Sequence, residues 1–540
     1  MPDNSPKPNA EMMRCRELEE EVRKLKEELR VAHNTIVQLE EANRMLQRVR
    51  QPSGERSSAS SDTIFDEAGA ITVDMPKDIL GEGAFGQVLL GRFENDRCAV
   101  KRQPVRKDRR ISDIRNEIRT IRSRCNHQNV IRYYCSQKHM LDDMMFVDIA
   151  MELCDTDLNK YINADSRDTS LEANIDLLTQ CAKGIEYLHT LTPMIIHRDI
   201  KPANILISFT GESLPPRIVI TDFGLSRELD HGNQAQLSSK VGGTFGWKAP
   251  ELLSDDGHVK FYSNKIDIFS LGCLFYFVLT AGKHPFHNNR TEFPPAIDVK
   301  ILSNNFDIQL DDPIAVQLIR LMIHQDPDDR IDVECVRKHP FFYNTDGCLE
   351  YLKKIFDKFD SKAFSGHIRQ SLDWHFDRLD WREDISRPVR DNFRRTKAGK
   401  TYDIYNPTVL DLLKAIRNKY VHFNETRNEL DDFGSSFQTY WDYWRSRFAL
   451  LIPLVYEIIA FDHDKDVDYF RQIYGYKNAK IIAKNFWMKS PIHETITQTK
   501  LLKTGGTANV LHASWKVKSN QLFTAADDKI LTFWTLTVRE

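Results

Sequence analysis

Six short motifs that follow one another in a fixed order constrain the fold of this chain more than any other feature of its sequence. The central motif is His197-Arg-Asp-Ile-Lys-Pro-Ala-Asn204, in which a carboxylate and a carboxamide stand five residues apart. The others are Gly81-Glu-Gly-Ala-Phe-Gly-Gln-Val88, Cys98-Ala-Val-Lys101, Glu117, Asp222-Phe-Gly224 and Ala249-Pro-Glu251. Taken singly, each is explained as a turn or a solvated charge. Their joint occurrence in this order is not explained in that way.

The six motifs resemble the signature of protein kinases, which implies a bilobal domain over residues 71–343. By this resemblance, the Asp199 carboxylate accepts the proton of the attacking hydroxyl group. Asn204 and Asp222 hold Mg²⁺ against the phosphates of the nucleotide. Lys201 follows Asp199 by two residues, as is typical of serine/threonine kinases. Since no catalytic group is missing, the sequence predicts an active Ser/Thr protein kinase.

The resemblance also implies where ATP or ADP binds. Lys101 pairs with the phosphates and forms an ion pair with Glu117. Glycines are needed in the loop above the phosphates, because the backbone must approach oxygen atoms without a Cβ in between. The residues expected to form the nucleotide site are Gly81, Gly83, Gly86 and Val88 of that loop, Lys101, Glu117, and Glu152 and Cys154 of the hinge Met151-Glu-Leu-Cys154.

Two adjacent serines lie between the Asp-Phe-Gly and Ala-Pro-Glu motifs, in the activation loop of the kinase signature. Ser238 and Ser239 are therefore candidates for phosphorylation, and Arg198 is a candidate partner for the new charge. Serines are also common in polar loops, so regulation and an ordinary loop are equal alternatives. Thr244 stands closer to the Ala-Pro-Glu motif, where a structural role is favoured.

Composition and charge exclude several other classes of protein. The formal net charge of -3 indicates no global affinity for nucleic acids or membranes, so a basic site must be local. The nine cysteines include no Cys-x-x-Cys pair, which favours a reducing compartment over a disulfide or zinc framework. We find no signal pattern and no run of the roughly 18 apolar residues that a membrane helix needs. The sequence therefore predicts a cytoplasmic protein without a membrane span.

A heptad pattern runs through residues 12–50. Its a positions are Cys15, Val22, Leu29, Ile36 and Asn43, and its d positions are Leu18, Leu25, Ala32, Leu39 and Leu46. β-Branched residues at a with leucine at d favour a parallel two-stranded coiled coil, and an asparagine at a fixes its register. A single amphipathic helix on the kinase surface is the alternative. We expect a homodimer or higher oligomer, joined to the kinase by a flexible Ser-rich linker over residues 51–70.

Residues 344–477 are helical in pattern and rich in aromatic side chains. Val409, Leu412, Leu413 and Ile416 recur at helical spacing, which predicts one buried face. Thr408 and Asp411 form a variant of the capping box at the start of this helix. Polar residues follow at its end, namely Arg417, Asn418, Lys419 and His422, with Arg394, Arg395, Lys397, Lys400 and Lys414 adding positive charge nearby. These residues alone leave open either a solvated basic face or a nucleic-acid site.

A kinase followed by this helical block resembles the inositol-requiring kinase/endoribonuclease family of the unfolded-protein response, with ribonuclease L as a more distant relative. The motifs that carry the resemblance are Asn129–Tyr133, Met151–Cys154, Gly243–Glu251, Asp267–Cys273 and His284–Phe286 in the kinase, and Asp380–Glu383, Asp411–Lys419 and Tyr440–Phe448 beyond it. The family fold implies an α+β chain. A bilobal protein kinase is followed by an all-α kinase-extension nuclease (KEN) domain and is preceded here by the parallel coiled coil.

The resemblance implies cleavage of RNA without a metal ion or other cofactor. A ribose 2′-hydroxyl attacks the adjacent phosphate, and the product ends in a 2′,3′-cyclic phosphate. His422 matches the family's catalytic histidine and is the expected general acid. Arg417 matches its phosphate-binding arginine, and Asn418 is expected to orient the phosphate or ribose. The family's tyrosine, which is expected to help deprotonate the attacking 2′-hydroxyl, matches Tyr405. Tyr402 is an alternative, because the loop before the helix is expected to be irregular.

The sequence departs from this family in three places. Where the family usually has two adjacent histidines, this chain has Val421-His422. No segment resembles the stress-sensing lumenal domain or the membrane anchor, so we expect a form without them, in which the coiled coil supplies dimerisation. Residues 478–540 resemble a single WD repeat of unknown function, although a propeller needs about four blades to close.

The sequence thus favours a dual enzyme that acts in RNA processing or decay and in stress signalling. Its trans-autophosphorylating kinase would activate the endoribonuclease on dimerisation and nucleotide binding. Two alternatives remain open. One is a signalling Ser/Thr kinase whose helical block is only a docking or dimerisation module, and the other is a nucleotide-sensing scaffold with weak phosphotransfer.

Overall fold

The structure, a computed structural model, describes most of residues 71–460 and three short segments nearer the C-terminus. The gaps within 71–460 are 74–78, 84–85, 106–113, 115–117, 119–123, 142–143, 166, 210–214, 230–234, 237–242, 254–260, 288–293, 361–379, 398–399 and 424–429, and the three segments are 510–516, 521–526 and 531–535. Five predictions lie outside the described residues: the coiled coil of 12–50, the linker of 51–70, Glu117, Ser238 and Ser239.

A curled antiparallel sheet of six strands forms the first lobe of the kinase domain. Its strands are β1 (Ile71–Val73), β2 (Ile79–Gly83), β3 (Gly86–Phe93), β4 (Asp96–Pro104), β5 (Tyr133–Leu141) and β6 (Met144–Met151). Their order is β1-β3-β4-β6-β5, with β2 paired to β3. The two edges are joined by the Gln137 side chain, which accepts from the Ile71 N–H at 3.2 Å and donates to the Ile71 carbonyl at 3.1 Å.

The second lobe is mainly helical. Its helices are α1 (Leu158–Ile162), α2 (Leu171–Thr190), α3 (Pro250–Leu253), α4 (Lys265–Leu279), α5 (Pro294–Leu302), α6 (Pro313–Met322) and α7 (Val333–Arg337). Helix α4 is apolar around most of its circumference, and every residue from Lys265 to Val278 is buried. A helix of this kind belongs at the centre of a fold, and α4 packs there against α2 and α6.

Short strands frame the loops that carry the predicted kinase site. They are β7 (Thr156–Asp157), β8 (Met194–Ile196), β9 (Ile205–Ser208), β10 (Arg217–Ile220), β11 (Arg227–Leu229), β12 (Ala235–Gln236) and β13 (Phe261–Tyr262). Strand β9 pairs with β7 and β10, β8 pairs with β11, and β12 pairs with β13. Because β8 and β9 flank residues 197–204, while β10 and β11 flank residues 221–226, strand pairing fixes both ends of each loop.

A helical region follows the kinase, as predicted. Its helices are α8 (Thr345–Asp360), α9 (Trp381–Asp384), α10 (Arg387–Asn392), α11 (Val409–Val421), α12 (Phe437–Arg447) and α13 (Leu451–Ala460). The expectation of an all-α domain is wrong in one place, where β14 (Arg394–Lys397) and β15 (Lys400–Asp403) form an antiparallel hairpin. Neither strand alternates apolar with polar residues, so hydrophobic periodicity does not predict them.

The helical region shares its core with the second kinase lobe. The Gln317 side chain on α6 donates to the Pro453 carbonyl at 2.9 Å and to the Glu457 carboxylate at 2.7 Å, both on α13. The His339 ring lies edge-on to the Tyr456 ring, with 4.5 Å between their centroids. One continuous cluster of buried apolar side chains runs through both regions. The second kinase lobe and the helical region therefore share one hydrophobic core.

The tail that resembles a WD repeat contributes three strands to the described residues. Strands β16 (Val510–Lys516), β17 (Gln521–Ala526) and β18 (Leu531–Thr535) form an antiparallel meander. A propeller blade has four strands, so the likeness to a single WD repeat stays a prediction. None of the helices in the described part of the chain combines the length and the apolar character needed to cross a membrane.

Candidate active sites

The glycine-rich hairpin joins β2 to β3. Gly83 pairs with Gly86 at its tip, and Gly81 pairs with Val88 further along. Gly86 has a φ of +138°, and a Cβ there would stand 2.0 Å from the Arg102 carbonyl oxygen. Position 86 therefore requires glycine, because any other side chain would collide with the neighbouring strand. The four loop residues predicted to cover the nucleotide all lie on this one hairpin.

Lys101 and Asp222, which are far apart in the sequence, meet in the fold. The Lys101 Nζ lies 2.7 Å from the Asp222 Oδ1. Burial raises the pKa of Asp222, but the charge and hydrogen bond of Lys101, with smaller contributions from His197 and Lys201, lower it to about 2. Asp222 is therefore ionised at neutral pH. The predicted pairing of Lys101 with Glu117 stays a prediction.

Three side chains and one backbone N–H hold the Asp199 carboxylate. Its Oδ2 accepts hydrogen bonds from Lys201 Nζ at 2.7 Å and from Asn204 Nδ2 at 2.9 Å. Its Oδ1 accepts from the Thr244 hydroxyl at 2.9 Å and from the Thr244 N–H at 3.1 Å. Lys201 Nζ also donates to the Thr244 hydroxyl oxygen at 2.5 Å. These contacts orient the carboxylate and support the structural role expected of Thr244.

Asp267 on α4 anchors the catalytic loop, although sequence reasoning assigned it no role. It is 1% exposed and accepts hydrogen bonds at 2.8 Å from the N–H groups of His197 and Arg198. Its Oδ2 also lies 2.9 Å from the His189 ring. Burial raises the pKa of Asp267, but His189, His197 and the Arg198 N–H outweigh burial and lower it. The only signal in the sequence was its place in the family-like stretch Asp267–Cys273.

Asn204 and Asp222 fit the role of Mg²⁺ ligands. The Asn204 amide nitrogen donates to the carbonyl and the carboxylate of Asp199, which leaves the amide oxygen available to a cation. Asp222 is ionised, and Mg²⁺ prefers such oxygen ligands and completes its shell with phosphates and water. Among the described residues, no three His, Cys, Asp or Glu side chains converge as a metal cage. A cation held by Asn204 and Asp222 would take further ligands from the nucleotide phosphates and from water.

The hinge presents backbone groups at the predicted adenine position. The Glu152 N–H donates to the Arg132 carbonyl at 3.0 Å, and the Glu152 carboxylate lies 2.5 Å from Arg217. Within the described part of the chain, no backbone hydrogen bond occupies the Glu152 carbonyl or the Cys154 N–H. Those two groups are therefore available to the edge of an adenine ring.

Arg198, the predicted partner of an activation-loop phosphate, lies over the Tyr262 ring at 4.9 Å. Burial lowers the pKa of Arg198, and its Nε has no hydrogen-bond partner among the described residues. Since Ser238 and Ser239 are not described, their phosphorylation and the pairing with Arg198 stay predictions.

The predicted helix before the basic cluster is present as α11, and its predicted buried face is confirmed at Val409, Leu412, Leu413 and Ile416. Thr408 caps the helix, because its hydroxyl accepts from the Asp411 N–H at 3.1 Å. The second half of the predicted capping box is wrong. The Asp411 carboxylate accepts from the Asn406 N–H at 2.5 Å, outside the helix. Aspartate is shorter than the glutamate of a capping box, and here it holds the preceding loop instead.

Three predicted nuclease residues form a row of hydrogen bonds. The Tyr405 hydroxyl accepts from Asn418 Nδ2 at 3.3 Å, and Asn418 Oδ1 accepts from Arg417 Nη1 at 3.1 Å. Tyr405 is 8% exposed, whereas Tyr402 on β15 is 50% exposed. The geometry favours Tyr405 as the tyrosine of this site. Burial raises the pKa of Tyr405 more than the bond from Asn418 lowers it, so its hydroxyl stays protonated at neutral pH.

The Asp-Trp-Arg-Glu motif holds the backbone around Tyr405, a role that sequence reasoning did not assign. Trp381 Nε1 donates to the Asn406 carbonyl at 3.0 Å. Arg382 Nη1 donates at 3.1 Å both to the Tyr405 carbonyl and to the carboxylate of Asp403. The loop that carries the tyrosine is therefore fixed by two side chains of α9.

His422 is the residue that caps the C-terminal end of α11, four positions after Asn418. Its backbone N–H donates to the Asn418 carbonyl at 3.2 Å, and its side chain is exposed. From the interior, the Tyr440 hydroxyl donates to the Ile416 carbonyl at 2.6 Å and holds the same helix end. Arg417, Asn418 and His422 thus lie within about one and a half turns at 3.6 residues per turn. This helix end offers a cation, an amide and an imidazole to a large ligand.

Two known families match the chain. The protein kinase domain family matches residues 75–342, and the ribonuclease 2-5A family matches residues 348–474. The chain is 32% identical over 398 residues to the serine/threonine-protein kinase/endoribonuclease ire-1 of Caenorhabditis elegans, covering 71% of this chain and 39% of the relative. It is 32% identical over 388 residues to the serine/threonine-protein kinase/endoribonuclease IRE2 of Homo sapiens, covering 70% and 40%.

A third relative is named as a sensor. The chain is 29% identical over 445 residues to the sensor for unfolded proteins in the ER ire1 of Schizosaccharomyces pombe, covering 74% of this chain and 39% of the relative. The chain therefore spans about two fifths of the length of the curated relatives it matches. With both domains matched in the same order and identity extending across them, this chain belongs to the kinase/endoribonuclease family of these relatives.

Proposed function

We propose that the protein is a dual enzyme, in which an autophosphorylating Ser/Thr kinase controls a metal-independent endoribonuclease. The observation that carries the proposal is the presence of two separate constellations in one chain. One surrounds Asp199 and Asp222, and the other is the row of Tyr405, Asn418 and Arg417. The relatives are named for both activities.

In phosphotransfer, Asp199 accepts the proton of the substrate hydroxyl while the hydroxyl oxygen attacks the γ-phosphorus. The bond from the γ-phosphorus to the bridging oxygen of ATP breaks, and ADP leaves. Lys201, which lies 2.7 Å from Asp199, neutralises charge that develops on the transferred group. Asp222 and Asn204 would hold Mg²⁺, which neutralises charge on the phosphates when the nucleotide is bound. Lys101, held by Asp222 at 2.7 Å, is directed toward the phosphates.

In RNA cleavage, the ribose 2′-hydroxyl loses its proton to solvent water as its oxygen attacks the adjacent phosphorus, and the bond to the 5′-oxygen of the next nucleotide breaks. His422 donates a proton to that leaving oxygen. Arg417 neutralises the charge on the phosphorane, and Asn418 fixes the geometry between Arg417 and Tyr405. Because the Tyr405 hydroxyl is protonated, it orients the 2′-hydroxyl by hydrogen bonding and does not act as a phenolate base. The products are a 2′,3′-cyclic phosphate and a free 5′-hydroxyl.

Cleavage of a labelled hairpin RNA in EDTA, with and without ADP, tests this proposal. We expect cleavage without divalent metal, faster cleavage with ADP, and a product that carries a cyclic phosphate. The measurement is gel resolution of the fragments, followed by acid opening of the cyclic end. RNA that stays intact under every nucleotide condition would leave only the kinase half of the proposal.

Dimerisation through residues 12–50 is the proposed switch. A fused dimeric helix raises the effective concentration of the second catalytic unit to the millimolar range without adding a catalytic group. Deletion of residues 1–50 should therefore slow RNA cleavage about tenfold or more at nanomolar protein, with recovery at high concentration. Replacement of the segment by an unrelated parallel coiled coil should restore the rate. Equal rates with and without residues 1–50 at low concentration would contradict this role.

We place these reactions in the cytoplasm, in stress signalling through RNA processing or decay. Six cysteines within the described residues form no disulfide, which suits a reducing compartment: Cys98, Cys154, Cys181, Cys273, Cys335 and Cys348. The Schizosaccharomyces pombe relative is named a sensor for unfolded proteins in the ER, which supports a stress signal upstream.

A further inference from the structure

Asp357, on the last turn of α8, contacts the arginine that is proposed to bind the scissile phosphate. Its Oδ1 accepts a hydrogen bond from Arg417 Nε at 3.2 Å, and the two charges form an ion pair. The residues are 60 positions apart, but α8 packs directly against α11. None of the sequence motifs that indicate the nuclease site includes Asp357.

The contact determines which N–H groups of Arg417 can reach a phosphate. Nε donates to Asp357, and one N–H of Nη1 donates to Asn418 Oδ1 at 3.1 Å. A guanidinium group has five N–H donors in a rigid planar fork, so three remain: two on Nη2 and one on Nη1. Two parallel donors on that edge can bind two oxygens of one phosphate. The edge formed by Nη1 and Nη2 is therefore left for the RNA.

The ion pair contributes more to orientation than to folding. The side chains of Arg417 and Asp357 are 31% and 45% exposed, and solvent weakens pairs of this kind. A long arginine side chain adopts many rotamers unless its end is fixed, and here two different nitrogen atoms are held. A misplacement of about 1 Å in a catalytic site can cost about 10²-fold in rate. A contact that contributes little to the free energy of unfolding can thus have a large effect on the cleavage rate.

We propose that Asp357 is a positioning residue for RNA cleavage, which holds the Arg417 guanidinium with its Nη1–Nη2 edge toward the scissile phosphate. The inference rests on the proposed endoribonuclease function. Asp357 itself exchanges no proton and touches no phosphate. Helix α8 begins at Thr345, just after the kinase match ends at residue 342. The carboxylate therefore links the arginine to the helix that leaves the kinase lobe.

The test compares Asp357→Ala with Asp357→Asn in the full chain. Asparagine keeps an oxygen acceptor at the Oδ1 position, whereas alanine removes it. We expect Asp357→Ala to lower kcat about tenfold and to change KM less than about twofold, because the transition state depends most on orientation. Asp357→Asn should stay within about threefold of wild type, because the hydrogen bond is retained. The measurement is the cleavage rate of labelled hairpin RNA in EDTA with ADP, over a range of RNA concentrations.

Asp360→Asn, an exposed aspartate at the end of the same helix, is the matched control and should cleave like wild type. Autophosphorylation of every variant should equal that of wild type, which excludes misfolding. Unchanged or faster cleavage by Asp357→Ala overturns the inference, and so does an Asp357→Asn variant as slow as alanine. A wild-type chain that cuts no RNA removes the proposed function and the inference together. An active wild type with an equally active Asp357→Ala variant removes the inference alone.

Discussion

His422→Ala is expected to slow RNA cleavage about 10²- to 10⁴-fold, the range for loss of a positioned general acid. Without the imidazole, the 5′-oxygen must leave as an unprotonated alkoxide. Autophosphorylation should be unchanged, because His422 is an exposed residue at the end of α11, and the kinase site lies around Asp199. The measurement pairs single-turnover cleavage of a labelled hairpin RNA in EDTA and ADP with incorporation of phosphate from ATP in Mg²⁺.

Val421→Ala is the matched control for this variant. Val421 is 47% exposed beside His422, and its removal takes away an apolar side chain without an ionisable group. It should cleave RNA at close to the wild-type rate. If His422→Ala keeps most of the activity, another group protonates the leaving oxygen. If the wild-type chain cuts no RNA at all, the alternative of a kinase with a docking or dimerisation module is favoured.

The kinase site could be predicted because each of its motifs is a short continuous stretch of sequence. This holds even where the residues that come into contact belong to motifs far apart in the chain. Lys101 and Asp222 are 121 residues apart and 2.7 Å apart in space, and the resemblance alone assigned both to the nucleotide. Asp267 could not be predicted in the same way. Asp267 accepts hydrogen bonds from the backbone N–H groups of His197 and Arg198. No sequence pattern indicates a buried side chain that accepts hydrogen bonds from the backbone.

The nuclease half was predicted less completely. The periodicity of α11 predicted its buried face correctly, whereas the assignment of Arg417, Asn418 and His422 rests on the resemblance and stays a prediction. The choice between Tyr405 and Tyr402 depends on burial and on the bond from Asn418, neither of which is visible in the sequence. The β14–β15 hairpin was missed because its strands are polar on both faces. The only sequence signal was Ala398-Gly399, a two-residue connection with glycine between strands.

The shared core constrains how the two proposed activities can be coupled. The second kinase lobe contacts α13 through Gln317, and α8 passes from the kinase to the nuclease helices without a break. Packed interiors have little room to deform continuously. A nucleotide is therefore expected to act on the nuclease less by bending the junction than by changing how two copies meet. That expectation agrees with dimerisation as the proposed switch.

Asp199→Asn is expected to lower autophosphorylation about 10²- to 10⁴-fold, because the proton of the attacking hydroxyl loses its acceptor. RNA cleavage with ADP should stay within about twofold of wild type, because the nucleotide is held by other residues and no phosphotransfer is needed for binding. Among these are Lys101 and the hairpin of Gly86, which the substitution does not touch. The measurement is the same pair of assays, made on purified protein that has been dephosphorylated.

The outcome decides whether nucleotide binding or phosphorylation activates the nuclease. Asp328→Asn, an exposed carboxylate on the same lobe, controls for loss of a negative charge and should leave both activities unchanged. If Asp199→Asn lost RNA cleavage together with phosphotransfer even at saturating ADP, phosphorylation would be required to activate the nuclease. Occupancy of the kinase site by nucleotide would then be insufficient. If cleavage persists, nucleotide binding to the kinase fold is sufficient to activate the nuclease. Phosphotransfer would then only adjust the activity of a nuclease that nucleotide binding has already activated.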